Sequence, residues 1–414
     1  MKSIQLHKVN SLQGEVLLPT SKSESNRALI IQALARLQAM PANILLQNIS
    51  EARDTQTLQR LLLSNDEVLD VLDAGTTMRF LTAFCTATNR QVILTGTPRM
   101  QQRPIGILVE ALTQLGANIQ YQQEVGFPPI KIVDFQQKEK QVSLQGNVSS
   151  QYVSALLLIA PFLPDGLTVT LHGKVTSRPY IQMTLTLLRY FGINYTWEDN
   201  IIEIAPQPYR AATYAIEADW SGASYWYSWV ALAEEGTITL LGLRENSLQG
   251  DKAIVDIGEK LGAKTIFTEN GVQLSKIPHQ TNIQVDFTHC PDLAQTVAVC
   301  CAAKDIALEM TGLESLRIKE TDRIKALQQE LAKFGYTIRE EAQQTPTHWY
   351  LEKIATAHEE PTVETYEDHR MAMAFAPLAT QQTITILAPE VVVKSYPNYW
   401  SDIHQVGVST EENH

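Results

Sequence analysis

The chain has 414 residues, of which 44% are hydrophobic and 19% charged. This excludes a disordered or fibrous protein and predicts two or three domains, each with its own core. Thirty-three Lys and Arg against 45 Asp and Glu leave a formal charge of −12, which argues against nucleic acid as a partner, and any polyanionic ligand must be met by cations gathered locally.

The first 19 residues contain two strand-like stretches, SIQLHKV and EVLLP, with no apolar leader, and a cytosolic protein is expected. Residues Ser21–Arg27 (SKSESNR) then open a helix. Ser23 and Arg27 are four apart and share a face, with Lys22 at the N-terminal edge. A serine opening a helix is usually only a cap, but two cations beside hydroxyls and backbone N–H groups also make an anion site. Gly75-Thr76-Thr77 opens the next such helix and leads to Arg79; Gln102-Arg103-Pro104 leads into another. Ser149-Ser150-Gln151 and Ser177-Arg178-Pro179-Tyr180 repeat the pattern, so a ligand with more than one anionic group is expected.

The longest greasy run, Ala155 to Phe162, is far short of the ~20 residues a membrane span requires. Further on, Pro291-Asp292 puts a carboxylate at the start of an apolar helix. Lys319-Glu320-Thr321-Asp322-Arg323 places Lys319 and Arg323 at i, i+4 with Glu320 on the same turn. Asp368-His369-Arg370 opens a helix apolar enough to bury its own start, and Lys394 precedes Ser395-Tyr396-Pro397. Cys85, Cys290, Cys300 and Cys301 form no disulfide framework and read as buried thiols. No metal-binding, Walker A or dinucleotide motif is present, so neither metal nor cofactor is expected.

Two interleaved series organise these segments. Small-residue helix starts at Ser23, Gly75, Ser149, Ser221, Pro291 and His369 are separated by 52, 74, 72, 70 and 78 residues. Amphipathic helices closed by Gly116, Gly192, Gly262 and Gly335 are spaced by 76, 70 and 73, and Gly407 follows 72 later. Six mixed α/β units are predicted, each with two helices and β-branched strands such as LTVTLHG and TITLLG. The first interval is about 20 residues short, so the first unit is predicted to lack a strand hairpin between Ser64 and Asp73.

Together the blocks LPTSKSESNRAL, DAGTTMRF, SSQYVSALLLIAP, SRPYI, KETDR and DHRMAM resemble those of the 5-enolpyruvylshikimate-3-phosphate (EPSP) synthase family, in order from Leu18 to Lys394. The resemblance implies an inside-out α/β barrel of two domains that close like a clamp, each of three βαβαββ units. Residues 1–19 and 217–414 would form one domain and 20–216 the other. It implies enolpyruvyl transfer from phosphoenolpyruvate to the 5-hydroxyl of shikimate 3-phosphate through a tetrahedral intermediate, on the route to chorismate and aromatic amino acids. Asp292, Glu320 and Lys22 would handle the protons. Shikimate 3-phosphate would meet Lys22, Ser23, Arg27, Ser149, Ser150, Gln151, Ser177, Tyr180, Asp292 and Lys319. Phosphoenolpyruvate would meet Lys22, Gly75, Arg103, Gln151, Arg323, Arg370 and Lys394, with Gly75 letting its phosphate approach the backbone. No cofactor, metal, nucleic acid or membrane is implied, and a monomer is expected.

Against the family pattern, Thr20 stands for a turn Gly, Asp73 for the frequent Asn, Phe80 for Pro and Ser315 for an Asn of some members. Glyphosate occupies the phosphoenolpyruvate site of this family, and Gly75 implies sensitivity to it. Two alternatives stay open: transfer to UDP-N-acetylglucosamine, whose enzymes usually carry a loop Cys absent here from Gly96–Arg103, and a silent relative that only binds ligands.

Overall fold

The glycines that close the amphipathic helices do what their spacing predicts. Gly116, Gly192, Gly262, Gly335 and Gly407 all have φ between 82° and 115°, the left-handed region where other residues are strained. At Gly116 a Cβ would also lie 2.1 Å from the Gln136 carbonyl oxygen. The computed structural model describes residues 2–343, 346–354 and 361–413. Chain contacts divide it into two compact units, one from Ser21 to Ile216 and the other joining the residues up to Thr20 with those from Glu217 onward.

In each unit the helices make the core and the sheets the wall. Every residue of the Trp220–Leu232 helix except Ser221 is buried, as are all seven of His369–Phe375. Such helices carry apolar residues on every face because almost no face meets water, and their few polar side chains are buried with them. Trp226 and Trp229 are fully buried but donate their ring N–H to the Tyr396 and Tyr399 hydroxyls, at 3.2 and 3.0 Å, so neither leaves an orphan donor. The strands instead alternate, as in Gln141–Gln145, with one face on the helices and one in solvent. This is the inside-out α/β arrangement.

Five sheets share one plan: two parallel strands, then a hairpin laid antiparallel against the second. In 21–216 they are Val68–Asp70 with Val92–Thr95 and the Ala117–Tyr121/Ile130–Phe135 hairpin, and Gln141–Gln145 with Leu167–His172 and Thr196–Glu198/Ile201–Ile204. In the other unit, Ser11–Leu17 pairs in parallel with Glu235–Leu241, and Asn282–Asp286 with Ala307–Thr311. The last sheet takes its hairpin from the chain ends, since Ser3–Leu6 lies between Ile384–Leu387 and Thr410–Asn413. The sixth sheet is only Ile44–Gln47 in parallel with Ala212–Ala215. Between Ser64 and Asp73 there is one three-residue strand, Val68–Asp70, and it serves the next sheet. The first unit therefore has no hairpin, as the interval predicts. On the short sheet, the Gln32 side-chain amide donates to the Ile44 carbonyl at 2.9 Å. Leu37, Met40, Leu45, Leu63 and Val68, all from this stretch of chain, are exposed.

Candidate functional site

In residues 21–216 the predicted anion-binding side chains converge on adjoining helix starts. Ser21 caps the Lys22–Leu37 helix, its hydroxyl accepting from the Glu24 N–H. Lys22 points its ammonium at Asp54, 3.0 Å away, and Thr77 bonds the Asp54 carbonyl. Arg27 is buried. Its Nε donates to Thr184 at 2.7 Å, Nη1 to the Ser23 carbonyl at 2.8 Å, and Nη2 to Ser154 at 3.2 Å and the Tyr180 carbonyl at 3.4 Å. Burial lowers its pKa to about 10, still leaving it charged.

Gly75 starts its helix as expected, but the group over it differs from the expectation. A Cβ there would lie 2.7 Å from Nη1 and Nη2 of Arg103, so it is this guanidinium that approaches the Gly75 backbone. Any anion in that space meets Arg103 first, and the glycine is required for the fit. Arg79 holds the next turn, donating to the Gly75 carbonyl at 3.1 Å and the Pro104 carbonyl at 2.7 Å. Gln151 joins two helix starts through Thr76 at 3.2 Å, and Ser149 caps the Ser150–Ile159 helix. Ser177 departs from the capping pattern. It sits at φ 51°, and its hydroxyl makes no bond to the helix it precedes.

In residues 217–414 the motif charges form one network around Arg323, which is almost fully buried. Its Nε meets Asp368 at 2.6 Å, Nη1 meets Asp292 at 2.8 Å and Nη2 meets Glu320 at 2.9 Å. Burial alone would lower its pKa, but Asp368, Glu320 and Asp292 together raise it. Arg370 holds the other Asp292 oxygen at 3.0 Å, and its Nη1 meets the Tyr225 hydroxyl at 3.2 Å. Lys319 adds a third cation, 3.8 Å from Asp292. Burial pushes the Asp292 carboxyl up, but Arg370, Lys319 and Arg323 outweigh it and hold the group well below the usual carboxylate range. Lys394 is buried at the end of the Pro389–Lys394 turn, which packs on the His369–Phe375 helix.

Two local expectations are corrected. Lys319 and Glu320 do not share a helical turn with Arg323. The helix begins at Arg323, capped by Asp322, and Lys319 is extended after the Glu314–Ile318 turn. Asp292 lies in a 3-10 turn, Pro291–Leu293, that precedes the Ala294–Ala303 helix. Among the described residues no group of three or more His, Cys, Asp or Glu is placed to hold a metal, and no helix is long and apolar enough to cross a membrane.

Residues 37–403 match the model of the EPSP synthase family, 3-phosphoshikimate 1-carboxyvinyltransferase. The chain belongs to the EPSP synthase family. The 3-phosphoshikimate 1-carboxyvinyltransferase of Bacteroides fragilis is 46% identical over 401 residues, 96% of each chain. That of Haemophilus ducreyi is 34% identical over 435 aligned positions, 98% of each chain. The fold matches EPSP synthase from Acinetobacter baumannii with a TM-score of 0.77 over the whole of both chains, at 20% identity.

Asp54, Tyr225 and Asp251 are absent from the motifs read in the sequence, while Thr76, Ser221 and Asp368 stand in those motifs without an assigned role; all six are bonded to predicted site residues or to each other. Asp368 stood next to a cation in a motif and was recoverable. Asp54 and Asp251 were single acids without pattern, and only the fold pairs them.

Proposed function

We propose that this chain transfers the enolpyruvyl group of phosphoenolpyruvate to the 5-hydroxyl of shikimate 3-phosphate and releases phosphate, acting as a monomer in the cytosol without a cofactor. The observation that carries the assignment of roles is the Arg323 network: two carboxylates from separate segments, Asp292 and Glu320, rest on one guanidinium. The chemistry calls for such a pair. C3 of phosphoenolpyruvate must gain a proton before C2 accepts the oxygen, and the attacking hydroxyl must lose one. The tetrahedral adduct then loses the C3 proton and phosphate. Glu320 serves C3, Asp292 serves the 5-hydroxyl, and Lys22 assists either transfer.

The donor carboxylate binds Arg323 and Arg370 by forked, charge-assisted bonds. Arg323 already meets carboxylates at Nε, Nη1 and Nη2, and we infer that the incoming anion exchanges with Glu320 at Nη2 and turns that carboxyl towards C3. Arg103 over Gly75, with Lys22, Gln151 and Lys394, takes the donor phosphate. Ser149, Ser150, Ser177 and Lys319 take the shikimate phosphate, while Ser23, Arg27, Gln151 and Tyr180 hold the ring and its carboxylate. Within that set Arg27 acts by fixing Ser23 and Tyr180, whose backbone carbonyls it holds.

The test is a coupled assay of phosphate release from phosphoenolpyruvate. Release with shikimate 3-phosphate and none with UDP-N-acetylglucosamine supports the proposal. The reverse makes the chain the other transferase, and release with neither makes it a silent binder.

A further inference from the structure

Asp251 lies in the Gly250–Ala253 turn, is 2% exposed, and has no place in the mechanism above. It accepts a hydrogen bond from the Ser221 hydroxyl. The same hydroxyl lies 3.4 Å from Arg370 Nη2, which in turn meets Asp292 at 3.0 Å. Two carboxyls thus flank one guanidinium, Asp292 directly and Asp251 through a serine. Asp219 and the buried Cys290 thiol also face Asp251. Burial and then Asp292 raise the Asp251 carboxyl to about 6, while Arg370 and the Ser221 bond pull it down.

We propose that Asp251 is a positioning residue of the donor site: it holds Ser221 and through it Arg370, and it takes up a proton when an anionic carboxylate is seated on that guanidinium. This rests on the reading of Arg370 as a ligand of the donor carboxylate. In the free protein Arg370 offsets the repulsion between Asp251 and Asp292. A bound carboxylate cancels that cation and adds a negative charge nearby, and both push the Asp251 carboxyl further up. Asp251 therefore keeps its proton to higher pH with the donor seated than without it. Ser221 keeps its acceptor in both forms, so Arg370 stays in place.

The experiment measures kcat/KM for phosphoenolpyruvate between pH 5.5 and 8.5 at saturating shikimate 3-phosphate, in the wild type, Asp251→Asn and Ser221→Ala. The wild type should lose about tenfold between pH 6 and 8 through a rising KM. Asp251→Asn should lose that limb while keeping the rest of the profile. Ser221→Ala, which retains the carboxyl but not the bond that lowers it, should move the limb to higher pH. An unchanged limb in Asp251→Asn overturns the proposal, as does an unmoved limb in Ser221→Ala if the asparagine variant fails to fold. A wild type that does not turn over phosphoenolpyruvate at all refutes the functional reading instead, and is recognised by its silence at every pH.

Discussion

In residues 21–216 the buried cations rest mostly on neutral oxygens. Arg27 donates to two hydroxyls and two carbonyls, and Arg79 to two carbonyls, while the more exposed Lys22 and Arg53 rest on Asp54 and Asp73. In residues 217–414 Arg323 meets Asp292, Glu320 and Asp368, and Arg370 also meets Asp292. The first arrangement preserves positive charge and suits phosphates, which stay anionic throughout. The second cancels charge until a substrate carboxylate competes, and it keeps acids next to where protons move. Under the proposed roles, the first half would mainly hold anions and the second would exchange its own carboxylates for the substrate's.

The largest effect expected from breaking this contrast is on turnover. Asp292→Asn and Glu320→Gln should each lower kcat by ~10²–10⁴-fold in the phosphate-release assay. Shikimate 3-phosphate binding, read by calorimetry, should survive Glu320→Gln.

Arg27→Met comes next and probes the neutral-oxygen side. It leaves Thr184, Ser154 and two carbonyls without their buried donor, so the expected loss is about 3 kcal/mol in urea unfolding. A loss below about 1 kcal/mol would mean that water replaces the guanidinium.

Gly75→Ala should be smaller still in rate and should act mainly on binding. The added methyl cannot share space with a guanidinium 2.7 Å away, so Arg103 must move. KM for phosphoenolpyruvate should rise about tenfold with kcat less affected. An unchanged KM would show that Arg103 is not a donor ligand.

The pH dependence of stability separates two carboxyls of the second half. Asp292 is held below its unfolded value near 4, so its contribution is present above that pH and is lost on further acidification. Asp251 is raised to about 6, so the native state binds the extra proton and stability falls as pH rises from about 4 through 6. Asp251→Asn should flatten that fall in melts recorded across this window, and an identical slope would refute the burial argument.

The smallest effect belongs to the two-stranded sheet. Leu45→Lys on its exposed face should change stability by no more than about 0.5 kcal/mol in urea titrations.

The repeat plan was readable because it is written in backbone geometry: five glycines at left-handed helix ends recur at a near-constant period, and a shortfall of about 20 residues reads directly as missing strands. The charged site was readable only as a set of residue types. The spacing of Lys319, Glu320 and Arg323 suits one helix, but the helix starts only at Arg323 behind its Asp322 cap; Asp292 from another segment joins Lys319 to Arg323, and Arg323 holds Glu320. Asp54, Asp251 and the Arg103–Gly75 contact depend on chain crossings that no local period records.

The central claim is that Glu320 delivers the proton to C3 while Arg323 and Arg370 hold the donor. A single turnover of phosphoenolpyruvate with shikimate 3-phosphate in heavy water, followed by rapid acid quench, reads it directly. The wild type should place deuterium on C3 of recovered phosphoenolpyruvate and product. Glu320→Gln should bind both substrates and leave C3 unlabelled over the same interval. Labelling of C3 at the wild-type rate in Glu320→Gln would contradict the account.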